Sequence, residues 1–412
     1  MRLLHTSDWH LGRMLHGELR HEEHERFLAW LIETIQEQAI DVLLVAGDVF
    51  DTTTPPHRAQ QLYYRFLHQL SCSACRHVVI TAGNHDSPSF LEAPKDLLRV
   101  MNVHVVGLGR DPAEEVLVLR DGQNRPELVV CAVPYLRDGD IRTVEAAESI
   151  AEKEYKRAAG IRAHYQAVAA LAQDTCRELG ASVPMVAMGH LFTAGGHTIE
   201  GDGVRELYVG ALGHVPAAIF DACFDYVALG HLHVPQQVGG SCTMRYSGSP
   251  LPMGFGEAGQ QKSVCLVTFH SARPTVAELP IPMFRRLQRI KGSWPEIVQR
   301  LEVLRASGAP AWLEVIYDGN EVIADLAERL EPLCTADLRI LSRVDLRKRR
   351  AILGQLPEIE ALEELDEQEV FERRLEAEAG ELSHQQREAL REAHAEILRA
   401  MWEHDSPEPP GP

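Results

Sequence analysis

The sequence predicts an α/β sandwich, and three observations carry that expectation. Short, continuously apolar strands alternate with amphipathic helices in the first third of the chain. After a long helical stretch the strands return in close succession, and several of them end in glycine followed by a polar residue. Taken in order, Leu3 and Leu4 lead into a loop, 22–39 reads as a helix, and DVLLVAGD (41–48) is a strand ending in Gly-Asp. A helix at about 58–70, the strand VVITA (78–82) before GNHD, and a helix near 91–101 complete a βαβ opening. The stretch 146–179 is helical, and strands follow at 183–190, 224–233, 242–250 and 263–269.

Three domains are expected. Residues 1–280 hold the sandwich. Residues 281–350 form a small α/β cap: Ser293 and Glu296 make a capping box for a helix ending near Arg305, followed by a strand at 311–318, a helix at 322–333 and a strand at 338–344. Residues 351–412 form a tail of two amphipathic helices separated near Gly380, the second opened by a Ser383/Gln386 capping box. Leu390, Ala393, Ile397, Leu398 and Met401 fall on one face of it, and SPEPPGP is a disordered end.

The net charge of −19 argues at first against a polyanionic partner, but the charge is uneven. Residues 351–412 carry 5 basic against 17 acidic side chains, whereas 281–350 carry 13 basic against 10 acidic and end in the run RKRR, 347–350. The cap is therefore the expected DNA-facing unit. No window approaches the roughly 18 apolar residues that span a bilayer, and no apolar leader follows Met1, so a soluble, cytoplasmic protein without membrane contact is expected. Eight scattered cysteines suit a reducing compartment. The lone CxxC at Cys72 and Cys75 has no second pair to complete a zinc site.

Five polar clusters each follow a strand: Asp8-Trp-His10, Gly47-Asp48, GNHD at 83–86, Gly189-His190, and His231-Leu-His233. Carboxylate, amide and imidazole without cysteine form the ligand set of hard or borderline divalent ions such as Mn²⁺, and their number implies two ions. In an extended segment, D-x-H or H-x-H would put both side chains on one side, toward one ion. Hydrolysis of a phosphodiester needs a deprotonated nucleophile, neutralised phosphoryl oxygens and a proton for the leaving alkoxide. Two ions about 3.5–4 Å apart supply the first two, and a nearby imidazole supplies the third. Asp86 reads either as an orienter of that imidazole or as a turn-stabilising aspartate. His197 and His214 lie in neighbouring glycine-rich loops and compete with His190 for its role.

The ordered series D-x-H, GD, GNHD, GH and GHLH resembles that of the calcineurin-like metallophosphoesterases, and HTSDWHLG, GDVFDT and YSGSPLPMGFGE look like their double-strand-break repair nuclease branch. The resemblance implies a four-layer αββα sandwich with a capping domain. It implies that Asp8, His10 and His233 hold one metal, that Asn84, His190 and His231 hold the other, that Asp48 bridges both, and that His85 is the acid rather than a ligand. It further implies a 3′–5′ exonuclease on duplex ends and an endonuclease on hairpins and single strands, acting in repair, replication and recombination. Such an enzyme works as a homodimer, through helices 58–70 and 91–101, inside a heterotetramer with an ATPase subunit that the tail would dock. In one respect the chain departs from archaeal and eukaryotic relatives, which carry histidine where Asp51 stands.

Other readings compete. A phosphoprotein phosphatase of this superfamily would carry Arg-Gly after GDxxD, whereas Asp51 is followed by TTTPP. A small-diester enzyme has little use for the added cap and tail, and a metal-free scaffold subunit would have no need of a full ligand set. GFGEAG at 254–259 matches GxGxxG, but a strand follows it instead of a helix, so it is expected to be a loop beside the site and not a dinucleotide site.

Overall fold

The computed structural model describes residues 1–141, 150–180, 183–193, 215–270, 274–319, 321, 323, 325–335, 337–346, 375 and 390. The chain divides into two units, Met1–Leu346 and Arg347–Pro412. The expected tail helices apart from residues 375 and 390, the basic run 347–350, His197 and His214 lie outside the described residues.

The strands in chain order are β1 (Arg2–Thr6), β2 (Met14–Leu15), β3 (Glu18–Leu19), β4 (Val42–Ala46), β5 (His77–Thr81), β6 (Val103–Val106), β7 (Val116–Arg120), β8 (Pro126–Ala132) and β9 (Met185–His190). They continue with β10 (Tyr226–Gly230), β11 (Gln236–Val238), β12 (Ser241–Tyr246), β13 (Ser263–Phe269), β14 (Pro274–Pro280), β15 (Arg286–Gly292), β16 (Ala311–Tyr317) and β17 (Leu338–Asp345). One six-stranded sheet runs β14-β13-β1-β4-β5-β6 and a second runs β11-β12-β10-β9-β8-β7. In the first sheet β1, β4, β5 and β6 are parallel and β13 and β14 are added antiparallel, β13 beside β1 and β14 beside β13, whereas in the second the four central strands are parallel and both outer strands antiparallel.

Alternation along the strands explains the layering. On β4, Val42, Leu44 and Ala46 pack between the sheets against Val130, Met188 and Ala228, while Leu43 and Val45 face the helices His21–Glu37 and His57–Ser71. The outer face of the second sheet packs on the helix Ile150–Leu179 through Ile161, Tyr165 and Val168. Strands covered on both faces read as unbroken apolar runs, which is why VLLVA and VVIT were legible as strands. The result is the four-layer αββα sandwich. The cap has its own parallel sheet, β15-β16-β17, and its own core around Ile290, Leu301, Leu313 and Val315.

Several boundaries differ from expectation. The helix expected at 91–101 is two pieces, Pro88–Glu92 and Lys95–Val100, broken where Pro94 supplies no amide to continue the first. The strand expected at 224–233 stops at Gly230, so His231 and His233 sit in a turn. In the cap, Asp325 caps a helix of only Leu326–Leu330 by accepting from the Ala327 and Glu328 amides, so the expected start at 322 is too early.

Candidate metal centre

Every expected ligand follows the C-terminal end of a parallel strand or closes it: Asp8 and His10 after β1, Asp48 after β4, Asn84 and His85 after β5, His190 at the end of β9, His231 and His233 after β10. This edge is where parallel sheets leave room for sites. The chain reaches it through left-handed backbone, with φ of 52° at Asp8, 46° at His10, 50° at Asp48 and 101° at His231. Alternation in an extended segment is therefore not what aims D-x-H and H-x-H. Such conformations are costly for residues with a Cβ and persist where surrounding structure enforces them. Main-chain bonds from Asp8 to Gly47 (3.0 Å), His10 to Asp48 (3.0 Å) and Leu11 to Val49 (2.9 Å) do so here. Gly47 (φ 82°) has no alternative residue, since a Cβ there would overlap the His190 ring.

Three groups of donor atoms result. Asp8, His10 and His233 form one, Asp8, Asp48 and His190 a second, and His10, Asp51 and His85 a third, the atoms of each lying within 4.8 Å of one another. His10 Nε2 meets His233 Nε2 at 3.2 Å. Asn84 Oδ1 lies 3.0 Å from both His190 Nε2 and His231 Nδ1. Asp48 Oδ2 stands between the sets, 3.3 Å from His190 Nε2 and 3.6 Å from His10 Nε2. Both members of H-x-H are thus present, but they face different groups: His231 the Asn84 side, His233 the His10 side.

The surroundings fit cations. His190 Nδ1 donates to the Ala46 carbonyl at 3.0 Å, which turns Nε2 into the cluster. Asp51 Oδ1 lies 3.2 Å from His10 Nδ1, off hydrogen-bond alignment, and accepts from Arg13 Nη1 at 3.0 Å. Burial opposes charge at Asp51, but His10 and Arg13 outweigh it and hold the carboxyl at about 2. Burial, and then the Asp48 charge, raises Asp8 to about 7 despite His190, Ser7 and the His231 amide. Burial would also raise Asp48, yet His190, followed by His10 and His85, keeps it well below the usual carboxylate range. At His190 burial disfavours the imidazolium, and Asp48 and Asp8 reverse this, lifting it to about 9. Buried carboxylates and inward-facing imidazole lone pairs at these separations need positive charge between them, which protons supply here and divalent ions supply better.

His85 stands beside His10, ring centroids 4.9 Å apart, and its Nδ1 donates to the Asp51 carbonyl at 2.9 Å. Asp86 does not orient that ring. Its carboxylate accepts from the amides of Gly83 (2.9 Å), Phe50 (2.9 Å) and Val49 (3.1 Å), joining the loops after β4 and β5, so of the two readings the turn-stabilising one describes its contacts. The sequence reading also missed Glu257 and Lys262, a buried ion pair at 2.5 Å whose carboxylate faces His233 Nδ1 at 3.9 Å. GFGEAG is indeed a loop beside the site, and the glutamate inside it was the available signal. All eight cysteines are free, and burial pushes the Cys75 thiol up to about 12, which leaves the CxxC poorly suited to redox work.

A family model described as calcineurin-like phosphoesterase matches residues 1–235, and one described as type 5 capsule protein repressor C-terminal domain matches residues 283–379. The chain is similar to SbcD, the D subunit of the nuclease SbcCD, from Escherichia coli (strain K12), being 38% identical over 394 residues that cover 94% of this chain and 96% of that one. It is 36% identical to the protein of the same name from Rhodobacter capsulatus over 362 residues, 82% of this chain and 87% of the other. For Bacillus subtilis (strain 168) the figures are 36% over 269 residues, 65% and 66%. Fold, site and family model define a calcineurin-like phosphoesterase, a metal-dependent hydrolase that binds divalent ions. Within that class the chain belongs to the SbcD family of nuclease subunits. Among the described residues no helix is long and apolar enough to cross a membrane.

Proposed function

We propose that this chain is the DNA-cutting subunit of an SbcCD-type complex, a cytoplasmic phosphodiester hydrolase that uses two Mn²⁺ ions. The observation that carries the reading is convergence: side chains from five parallel strand ends in two sheets meet within ion-pair and hydrogen-bond reach. Asp8, His10 and His233 would hold one ion, Asn84, His190 and His231 the other, with Asp48 between them. When bound, two such ions acidify water and neutralise the phosphoryl oxygens. The chain does the rest. The Ala46 carbonyl turns His190 inward, and the Asp51 charge lies beside the outer nitrogen of His10. The Asp51 carbonyl accepts a hydrogen bond from Nδ1–H of His85, so Nε2 is the ring atom that would deliver a proton to the departing alkoxide.

Hairpin cleavage in Mn²⁺ by wild type and His85→Gln tests this. The variant should lose about 10²–10⁴-fold in rate at unchanged metal content. Loss of metal together with rate would make His85 a ligand.

The family name supports the finer reading: ATP-dependent 3′–5′ exonuclease action on duplex ends and endonuclease action on hairpins and single strands, gated by the ATPase SbcC. In this reading 1–280 is the nuclease domain, the basic 281–350 unit faces DNA, and 351–412 docks on SbcC. Copurification with SbcC that survives Leu390→Glu with Ile397→Glu would remove the docking assignment. Exposed Tyr64, Leu97 and Val100, on the helices His57–Ser71 and Lys95–Val100, supply an apolar face for self-association within a heterotetramer, which light scattering checks.

A further inference from the structure

The motif GFGEAG plays no part in the function proposed above, yet its carboxylate lies against the metal centre. Glu257 is fully buried at the end of the short turn Phe255–Glu257. Its Oε2 accepts from the Met253 amide at 2.9 Å and from the Lys262 ammonium at 2.5 Å. Lys262, 4% exposed at the entry to β13, also donates to the His233 carbonyl at 2.8 Å and the Ser249 hydroxyl at 3.1 Å. A single ion pair thus holds His233 at two points, its main-chain oxygen through the ammonium and the Nδ1 side of its ring through Glu257 Oε1 at 3.9 Å. The other ring nitrogen is the one that meets His10.

Stability alone is a poor reason for this arrangement, because a buried ion pair seldom outperforms well-packed apolar groups of the same volume. Orientation is a better one. An imidazole whose outer nitrogen faces a carboxylate keeps its proton on that side and offers a more basic lone pair on the other. At 3.9 Å the carboxylate acts by its charge, while the shorter ammonium contact, together with the Ser249 amide that reaches the same carbonyl at 3.1 Å, fixes where the turn carries the ring.

We infer that Glu257 and Lys262 are positioning residues for His233, setting the ring's tautomer and place so that the Asp8, His10 and His233 group accepts a divalent ion. This rests on the metal-centre reading above. The apolar cluster of Leu15, Phe255, Leu287 and Trp312 ties the same turn to the cap, so the element that places His233 is the element the cap touches.

The test is Mn²⁺ uptake by the full-length chain, measured by equilibrium dialysis and by electron paramagnetic resonance. Wild type should take up two ions with an exchange-coupled spectrum. Glu257→Gln, which leaves the Lys262 ammonium without its counter-charge, should melt below the wild type yet stay folded and bind one ion about 10–100-fold more weakly, leaving the spectrum of an isolated Mn²⁺. Wild type that takes up no Mn²⁺ removes the metal-centre reading and this inference with it. Wild type with two ions and a folded Glu257→Gln with both at unchanged affinity removes the inference alone. If the single variant does not fold, Glu257→Gln with Lys262→Met, which deletes both charges, is read for the same two outcomes.

Discussion

The two banks of the site are anchored by buried charges of opposite sign. Beneath Asp48 and Asn84, the Asp86 carboxylate gathers three amides from two loops. Beneath His233, the Lys262 ammonium reaches a carbonyl, a hydroxyl and a carboxylate. Each turn leaves a different kind of backbone group without a strand partner, amides in the first bank and a carbonyl in the second. The sign of each anchor suits those groups, since a carboxylate accepts from amides and an ammonium donates to a carbonyl, here one that also accepts from the Ser249 amide at 3.1 Å. The banks differ in one further way: the negative anchor is balanced by amide dipoles, the positive one by a full counter-charge.

The sharpest way to break the comparison is Asp86→Ala. Three amides would lose their acceptor at about 1–3 kcal/mol each, so urea unfolding should show a loss on the order of 5 kcal/mol, with Asp86→Asn losing less. An unchanged midpoint would mean that water replaces the anchor. In the second bank, Lys262→Met strands Glu257 and should cost about 3–5 kcal/mol, most of which the added Glu257→Gln recovers. Equal losses in the single and double variants would show that the ammonium holds the backbone without regard to its counter-charge.

The smallest effect sharpens the contrast with a neutral anchor. His5 joins the two sheets through Tyr226 Oη at 2.9 Å and the Leu229 carbonyl at 3.2 Å, and burial holds its pKa at about 3. The unfolded chain takes up this proton near pH 6.5 and the folded chain does not until about 3. Its contribution is therefore complete above 6.5 and shrinks as pH falls below that value. By pH 5 the loss should be about 2 kcal/mol. Melting at pH 7.5 and 5 should show a steeper decline for wild type than for His5→Gln; parallel declines would exclude His5 as the source.

Legibility in the sequence tracked chain-local signals. Strands covered on both faces announced themselves as apolar runs, and the candidate ligands stood out because each sits within a few residues of a strand end. The ligand geometry was less visible: left-handed backbone at Asp8, His10 and Asp48 depends on neighbouring loops that lie distant in sequence. Of the two readings of Asp86 the turn-stabilising one fits its contacts, but its partners Val49 and Phe50 come from another loop and had no local signal. Lys262 had no local signature at all, a lysine opening a strand being an ordinary surface residue until the fold closes over it.

Leu44, Ala46, Met188 and Ala228 sit in the layer between the sheets, on strands whose ends carry the candidate ligands. That aliphatic seam is a spacer gauge: in the proposed two-ion centre its thickness would set the gap between the candidate ligands of one sheet and those of the other. A packed interior scarcely compresses, and productive chemistry tolerates only about 0.5 Å of misplacement, less than a folded chain will forgive. Residues with no polar atom to offer thereby hold the calibration of the enzyme.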